Sequence, residues 1–135
     1  MPFDHVDFFC FAQWLCDTKP DPPSKTLLRT IVNRAYYAAL ISASKHTGTP
    51  TTGLSGHENV IDALHNINSA AANKLRALKK KRVEADYKES PEISQREAEI
   101  SLQDSRIVLA ALNKAPISLR PYTNDFLDHS RFLKK

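Results

Sequence analysis

Between Val6 and Asn113 the apolar residues of this chain return at three- and four-residue steps. An α-helix buries such a spacing on one side, whereas a strand cannot. Phe8, Phe11, Ala12 and Leu15 make the first stripe, on a helix predicted from about Val6 to Cys16. The segment KPDPP, Lys19 to Pro23, ends it, and Ser24 is placed to cap a long second helix reaching about His46. The second stripe is Leu28, Ile31, Val32, Ala35, Ala39 and Ser42, and Thr47 to Gly56 is turn chemistry throughout. A third helix begins near His57 and carries Val60, Ile61, Leu64 and Ile67 on one side. A break near Asn68 and Ser69 separates it from a fourth, Ala71 to Tyr87. Ser90-Pro91 breaks the chain again, and Ser94-Gln95-Arg96-Glu97 matches a capping box opening a fifth helix that runs to about Asn113. Pro116 and Pro121 then bracket a loop, and Asn124 to Leu133 add a short terminal helix. With only 3 glycines and no useful β-alternation, the expected fold is all-α. It is an antiparallel helical bundle of about five helices over residues 1–113, with a partly helical C-terminal extension over 114–135.

At 135 residues, 41% hydrophobic and 25% charged, the chain suits one domain with a single modest core. No apolar run approaches the roughly 20 residues of a membrane span. The start, MPFDHVDFF, lacks a basic region followed by an apolar one and does not read as a secretory signal. Cys10 and Cys16, the only cysteines, lie six positions apart on one helix and point to different faces. They fit a reduced, cytoplasmic compartment. No His/Cys/Asp/Glu cluster has metal-ligand spacing, and Gly53 and Gly56 lack the lysine of a phosphate-cradling loop, so neither metal nor cofactor is expected.

The net charge of +4 is unevenly placed: Lys74, Arg76, Lys79, Lys80, Lys81 and Arg82 follow one another with no acid between them. Such a block attracts a polyanion such as RNA, or it is an ordinary solvated helix face. No aromatic residue within it offers a platform for base stacking. At about 100° per residue, Ala71, Leu75, Leu78 and Ala85 form the apolar stripe of the fourth helix, and Arg82 falls inside it. Asp86 lies one turn further on. The stripe of the fifth helix reads as Ile100, Ile107, Val108 and Ala111, with Asp104 among them. An arginine cannot shed its charge when buried, so Arg82, Asp86 and Asp104 are expected to form an inward charge network. His57, on the apolar side of its helix, is either a packing residue or a proton carrier. Ala98, Leu102 and Leu109 line the opposite face of the fifth helix; a helix apolar on two sides must bury both, which makes them candidates for a homodimer face.

Two words, NRAYYAAL from Asn33 to Leu40 and RVEADY from Arg82 to Tyr87, set an arginine beside tyrosines. Together with His57 opening the third helix and a final amphipathic helix, they resemble the HEPN domain. The likeness is to its small stand-alone branch, with an R-x-Y-Y-A word and a later R-x-x-A-D-Y word, and it covers about Phe8 to Leu112. The resemblance implies a dimeric all-α bundle belonging to a prokaryotic toxin–antitoxin or antiviral defence system. A nucleotidyltransferase, an ATPase or a nuclease encoded nearby is the implied kind of protein partner. Catalytic members are metal-independent ribonucleases whose arginine stabilises phosphorane charge while a histidine four to six intervening residues later moves protons. Here no histidine stands at that distance from any arginine, and Tyr87 occupies the place after Arg82. With a pKa of about 10, tyrosine is a poor base near neutrality. The resemblance therefore implies a non-catalytic dimeric module that binds RNA, a nucleotide or a partner protein. The alternative is an endoribonuclease with a variant site drawn from Arg34, Arg82, Tyr87 and His57.

Overall fold

The computed structural model describes residues 6–19, 23–87 and 93–113, with Tyr87 described by its backbone only. Five helices make up its regular structure: α1 (Val6–Thr18), α2 (Lys25–Thr47), α3 (Gly56–Ile67), α4 (Ser69–Tyr87) and α5 (Gln95–Ala111). The expected all-α fold is observed, with no strand among the described residues. The expected breaks at Pro20 to Pro22 and at Ser90-Pro91, the loop at Pro116 and Pro121, and the helix from Asn124 to Leu133 all lie outside them.

α2 is the centre of the bundle, touching each of the other four helices, while α1, α5, α4 and α3 follow one another around it. Its sequence explains this position. Ile31, Val32, Ala35, Tyr36, Ala38, Ala39, Leu40 and Ala43 are all fully buried, and a helix apolar on most sides has to be enclosed. Four alanines among them let neighbouring backbones come close, and each Leu, Ile or Val adds about 1.5–3 kcal/mol of burial. Ser24 caps the helix as expected, its hydroxyl accepting from the Leu27 amide at 3.0 Å. At the other end Gly48 adopts φ 71°, and its amide donates to the Ser44 carbonyl; a side chain there would be strained.

The α3–α4 corner consists of Asn68 alone. Its extended backbone breaks the helix, its amide closes α3 on the Leu64 carbonyl, and its side-chain oxygen accepts from the Ala71 amide to open α4. One asparagine thus serves as the end of one helix and the cap of the next. The capping box of α5 forms as its spacing requires, with Ser94 and Glu97 satisfying each other's amides at 3.1 and 3.0 Å.

Three apolar faces differ from their expected phase. On α1 the residues sealed in the core are Phe9, Cys10, Ala12 and Cys16, with Phe8 and Leu15 only flanking it. Both cysteines are buried thiols outside any disulfide, with Lys19 Nζ 3.7 Å from the Cys16 Sγ. On α3, Ile67 is 59% exposed because it sits at the corner. On α5 the core face is Ala98, Ser101, Leu102, Ser105, Val108 and Leu109. Ile100 and Ile107, expected inside, are 45% and 38% exposed, and Ala111 is exposed as well.

The two serines explain the α5 misreading. Where α5 crosses α2, the Ser105 hydroxyl is satisfied by donating to the Ala35 carbonyl at 2.7 Å. A serine with a built-in partner costs little to bury. Ala98, Leu102 and Leu109 therefore belong to the chain's own core and offer nothing to a second copy. The outward apolar residues of this helix are Ile100, Ile107 and Ala111.

Candidate functional site

Tyr36 and Tyr37 are consecutive on α2, so their side chains leave the helix about 100° apart. Tyr36 enters the core and is fully buried; Tyr37 stays half-buried at its edge. Their rings meet edge to face, 5.1 Å between centroids. Arg82 approaches from α4. Its Nη2 donates to the Tyr37 hydroxyl at 2.9 Å, and its Cζ lies 5.4 Å from the Tyr37 ring and 5.9 Å from the Tyr36 ring. Such cation–π contacts contribute about 0.5–2 kcal/mol, more as water is excluded. Arg82 Nε stands 3.0 Å from Asp86 Oδ2, one turn on; this is an ion pair by distance, with the N–H out of line for a hydrogen bond.

His57 closes the group from the first turn of α3. Its Nδ1 is 2.8 Å from the Tyr36 hydroxyl, and its ring lies 5.8 and 6.1 Å from those of Tyr36 and Tyr37. Burial, with Arg82 and Lys79 nearby, pushes the imidazole below its ordinary pKa and favours the neutral ring. Burial also raises the Tyr36 hydroxyl well above the usual tyrosine range, so it keeps its proton. We accordingly assign Tyr36 O–H as donor to Nδ1, which places the imidazole proton on Nε2.

Of the residues singled out from sequence, the structure brings together Arg82, Asp86 and His57. It adds Tyr36 and Tyr37 as the partners that join them. Asp104 is not part of this group: it faces Lys74 at 3.6 Å, about two turns before Arg82 on α4. Arg34 is also apart, its Cζ 5.2 Å over the Phe8 ring. The side chain of Tyr87 lies outside the described residues.

The basic block does not form one positive face. Arg76 and Lys79 both turn to Glu58 of α3, Lys79 at 2.8 Å, and hold its carboxyl below the usual range. Lys81 turns the other way, 2.6 Å from Glu97 of α5 and 3.3 Å from Glu84; the Glu97 bond raises its pKa and lowers that of Glu97. Only exposed Lys80 makes no ion pair among the described residues. A helix whose positions point in all directions scatters consecutive charges, which a reading of charge sign alone does not register. Of the set Lys74, Arg76, Lys79, Lys80 and Lys81, all but Lys80 are thus engaged in interhelical pairs. Each is worth about 0–1 kcal/mol at such exposure.

His57 supplies a pH dependence of definite sign. Its pKa is lower folded than unfolded, so the unfolded chain takes the proton first. The contribution is complete above pH 6.5, begins to be lost below that value and is gone once pH has fallen through the lower folded pKa. Glu58 and Glu97 begin to lose theirs only below 4.5. Thermal melts between those two values should therefore fall with pH in the native chain. They should fall less steeply in His57→Gln; equal slopes would contradict the assigned burial of a neutral ring.

Among the described residues no group of three or more His, Cys, Asp or Glu could hold a metal ion, and no helix is long and apolar enough to cross a membrane. No protein-family model, curated protein or solved structure matches the chain.

Proposed function

We propose that this chain is a HEPN-like module of a prokaryotic defence or toxin–antitoxin system, dimeric and non-catalytic, that binds RNA, a nucleotide or a partner protein. The observation carrying this reading is the commitment of the groups that would do chemistry. The Arg82 guanidinium holds Tyr37 and Asp86, and the His57 Nδ1 holds the Tyr36 hydroxyl. An arginine so tied has to break two contacts before it can meet a developing phosphorane charge. The outward Ile100 and Ile107 on α5 support a second copy as the natural cover for that face.

A specific feature favours a second reading, a metal-independent endoribonuclease. His57 comes from a different helix, yet it enters the same cluster as Arg82 with a neutral ring. In that reading Tyr36 gives up Nδ1, which takes the 2′-hydroxyl proton as that oxygen attacks phosphorus; the imidazolium returns a proton to the departing 5′-oxygen, and Arg82 stabilises the phosphorane between the two steps. Purified protein incubated with total RNA without divalent metal separates the two. The module reading expects intact RNA and a dimer by light scattering at tens of micromolar. Cleavage that is lost in a folded Arg82→Ala variant would establish the enzyme, and a monomer would remove the dimer.

A further inference from the structure

Two arginines that the Arg82 cluster leaves out share a face of their own. Thr26, Arg29, Thr30, Asn33 and Arg34 follow the i, i+3, i+4, i+7, i+8 spacing along α2, on the side away from its core stripe. With Asp86 of α4 they line a cleft of about 250 Å³. α2 carries no aspartate or glutamate anywhere in its length. Among the described residues neither Arg29 nor Arg34 makes an ion pair, unlike Lys74, Arg76, Lys79, Lys81 and Arg82. The Arg29 Nε is buried and has no hydrogen-bond partner. A buried guanidinium N–H left without an acceptor is costly, and it marks Arg29 as a side chain that the chain itself does not fully satisfy.

We infer that this cleft binds the phosphate group of a nucleotide or of an RNA strand, held by Arg29 and Arg34. Two planar forks offer more donors than one carboxylate accepts, whereas the non-bridging oxygens of a phosphate match both. Arg34 is pre-positioned by its stacking on Phe8, so little side-chain freedom is lost on binding. Thr26 and Asn33 add uncharged donors; the Thr30 hydroxyl is already donating to the Thr26 carbonyl at 2.9 Å. Asp86, the one carboxylate present, is opposed by Arg82 at 3.0 Å.

Volume decides how much of the ligand enters. Pockets that engulf a drug-sized molecule occupy roughly 300–1,000 Å³, so about 250 Å³ takes a phosphate and leaves sugar and base outside. A second cleft among the described residues, between α1 and α5, sets Lys19 and Arg106 against Asp17 and Glu99. Its charges balance, and it has no comparable call for an anion.

The inference rests on the proposed module only for its choice of probes. Calorimetry with adenosine 5′-monophosphate and fluorescence anisotropy with a labelled single-stranded oligoribonucleotide are run on the full chain. They are repeated on Arg29→Gln/Arg34→Gln and on Lys80→Gln, which removes one exposed charge elsewhere. We expect at least one probe to bind, the double variant to weaken it at least tenfold, and Lys80→Gln to stay within twofold. Binding of the mononucleotide identifies a free nucleotide as sufficient; binding of the oligonucleotide alone identifies the strand. Should the double variant unfold, amide shifts of the native chain on adding the probe replace it, and shifts confined to Thr26–Arg34 support the site. No binding of either probe at millimolar concentration, equal loss in Lys80→Gln, or shifts elsewhere would overturn the site. RNA binding that survives the double variant would overturn it too while leaving the module reading intact.

Discussion

Truncating Tyr36 to alanine should destabilise the protein by about 3–5 kcal/mol, the range for removing a large aromatic side chain from a sealed core. Tyr36 is fully buried, lies against Tyr37, and receives Arg82 over its ring. Its loss opens a cavity on the central helix, where α3 and α4 cannot close in without leaving their other partners. For a chain of 135 residues each kcal/mol moves Tm by roughly 3–5 °C, so a fall of about 10–20 °C is expected. Tyr36→Phe keeps the ring and removes only the hydroxyl that faces His57. It should cost about 1 kcal/mol, because the half-buried imidazole regains a water. Urea unfolding of both variants checks the two numbers. A loss below 1 kcal/mol for Tyr36→Ala would mean that this ring does not close the core.

Arg82→Ala should cost about 2–3 kcal/mol. Two reference values bracket it: breaking a fully buried ion pair costs about 3–5 kcal/mol, and an exposed one about 0–1. The side chains of Arg82 and Asp86 are 17% and 28% exposed, nearer the first than the second, but Asp86 can be rehydrated once alone. The Tyr37 bond and the stem packed on two rings add to the loss. Arg82→Lys should recover less than half, since one ammonium cannot reproduce a fork that meets Tyr37 through Nη2 and Asp86 through Nε. Arg76→Ala, about half exposed with an exposed partner in Glu58, is the control and should lie within 1 kcal/mol of the native chain.

Much of this architecture is readable in the sequence, and the reasons differ by element. Local rules carried the helix boundaries: Ser24 and the Ser94–Glu97 box act within a single turn, so their residues suffice. The Arg82–Asp86 pair was legible for the same reason, being one turn apart. Arg82 to Tyr37 spans 45 positions and Tyr36 to His57 spans 21, and nothing local marks those partners. The one available hint was a pair of adjacent tyrosines on an alanine-rich helix, which must diverge. The phase of α5 is hidden because its isoleucines lie outside while the small Ser105 finds its acceptor on α2, seventy positions away. In the basic block the charges were visible but their acceptors, Glu58, Glu97 and Asp104, were not. Nothing local marks Arg29, since an isolated arginine on a polar face becomes notable only when the fold leaves it without an ion pair among the described residues.

At the centre of this account, the words NRAYYAAL and RVEADY are two halves of one structural contact between α2 and α4. A double-mutant cycle of Arg82→Ala and Tyr37→Phe, measured by urea unfolding, tests that most directly. The predicted result is a coupling energy of at least about 0.5 kcal/mol, with the double variant less destabilised than the sum of the singles. Effects that add to within about 0.3 kcal/mol would contradict it, and would return Arg82 to the role of an uncommitted charge.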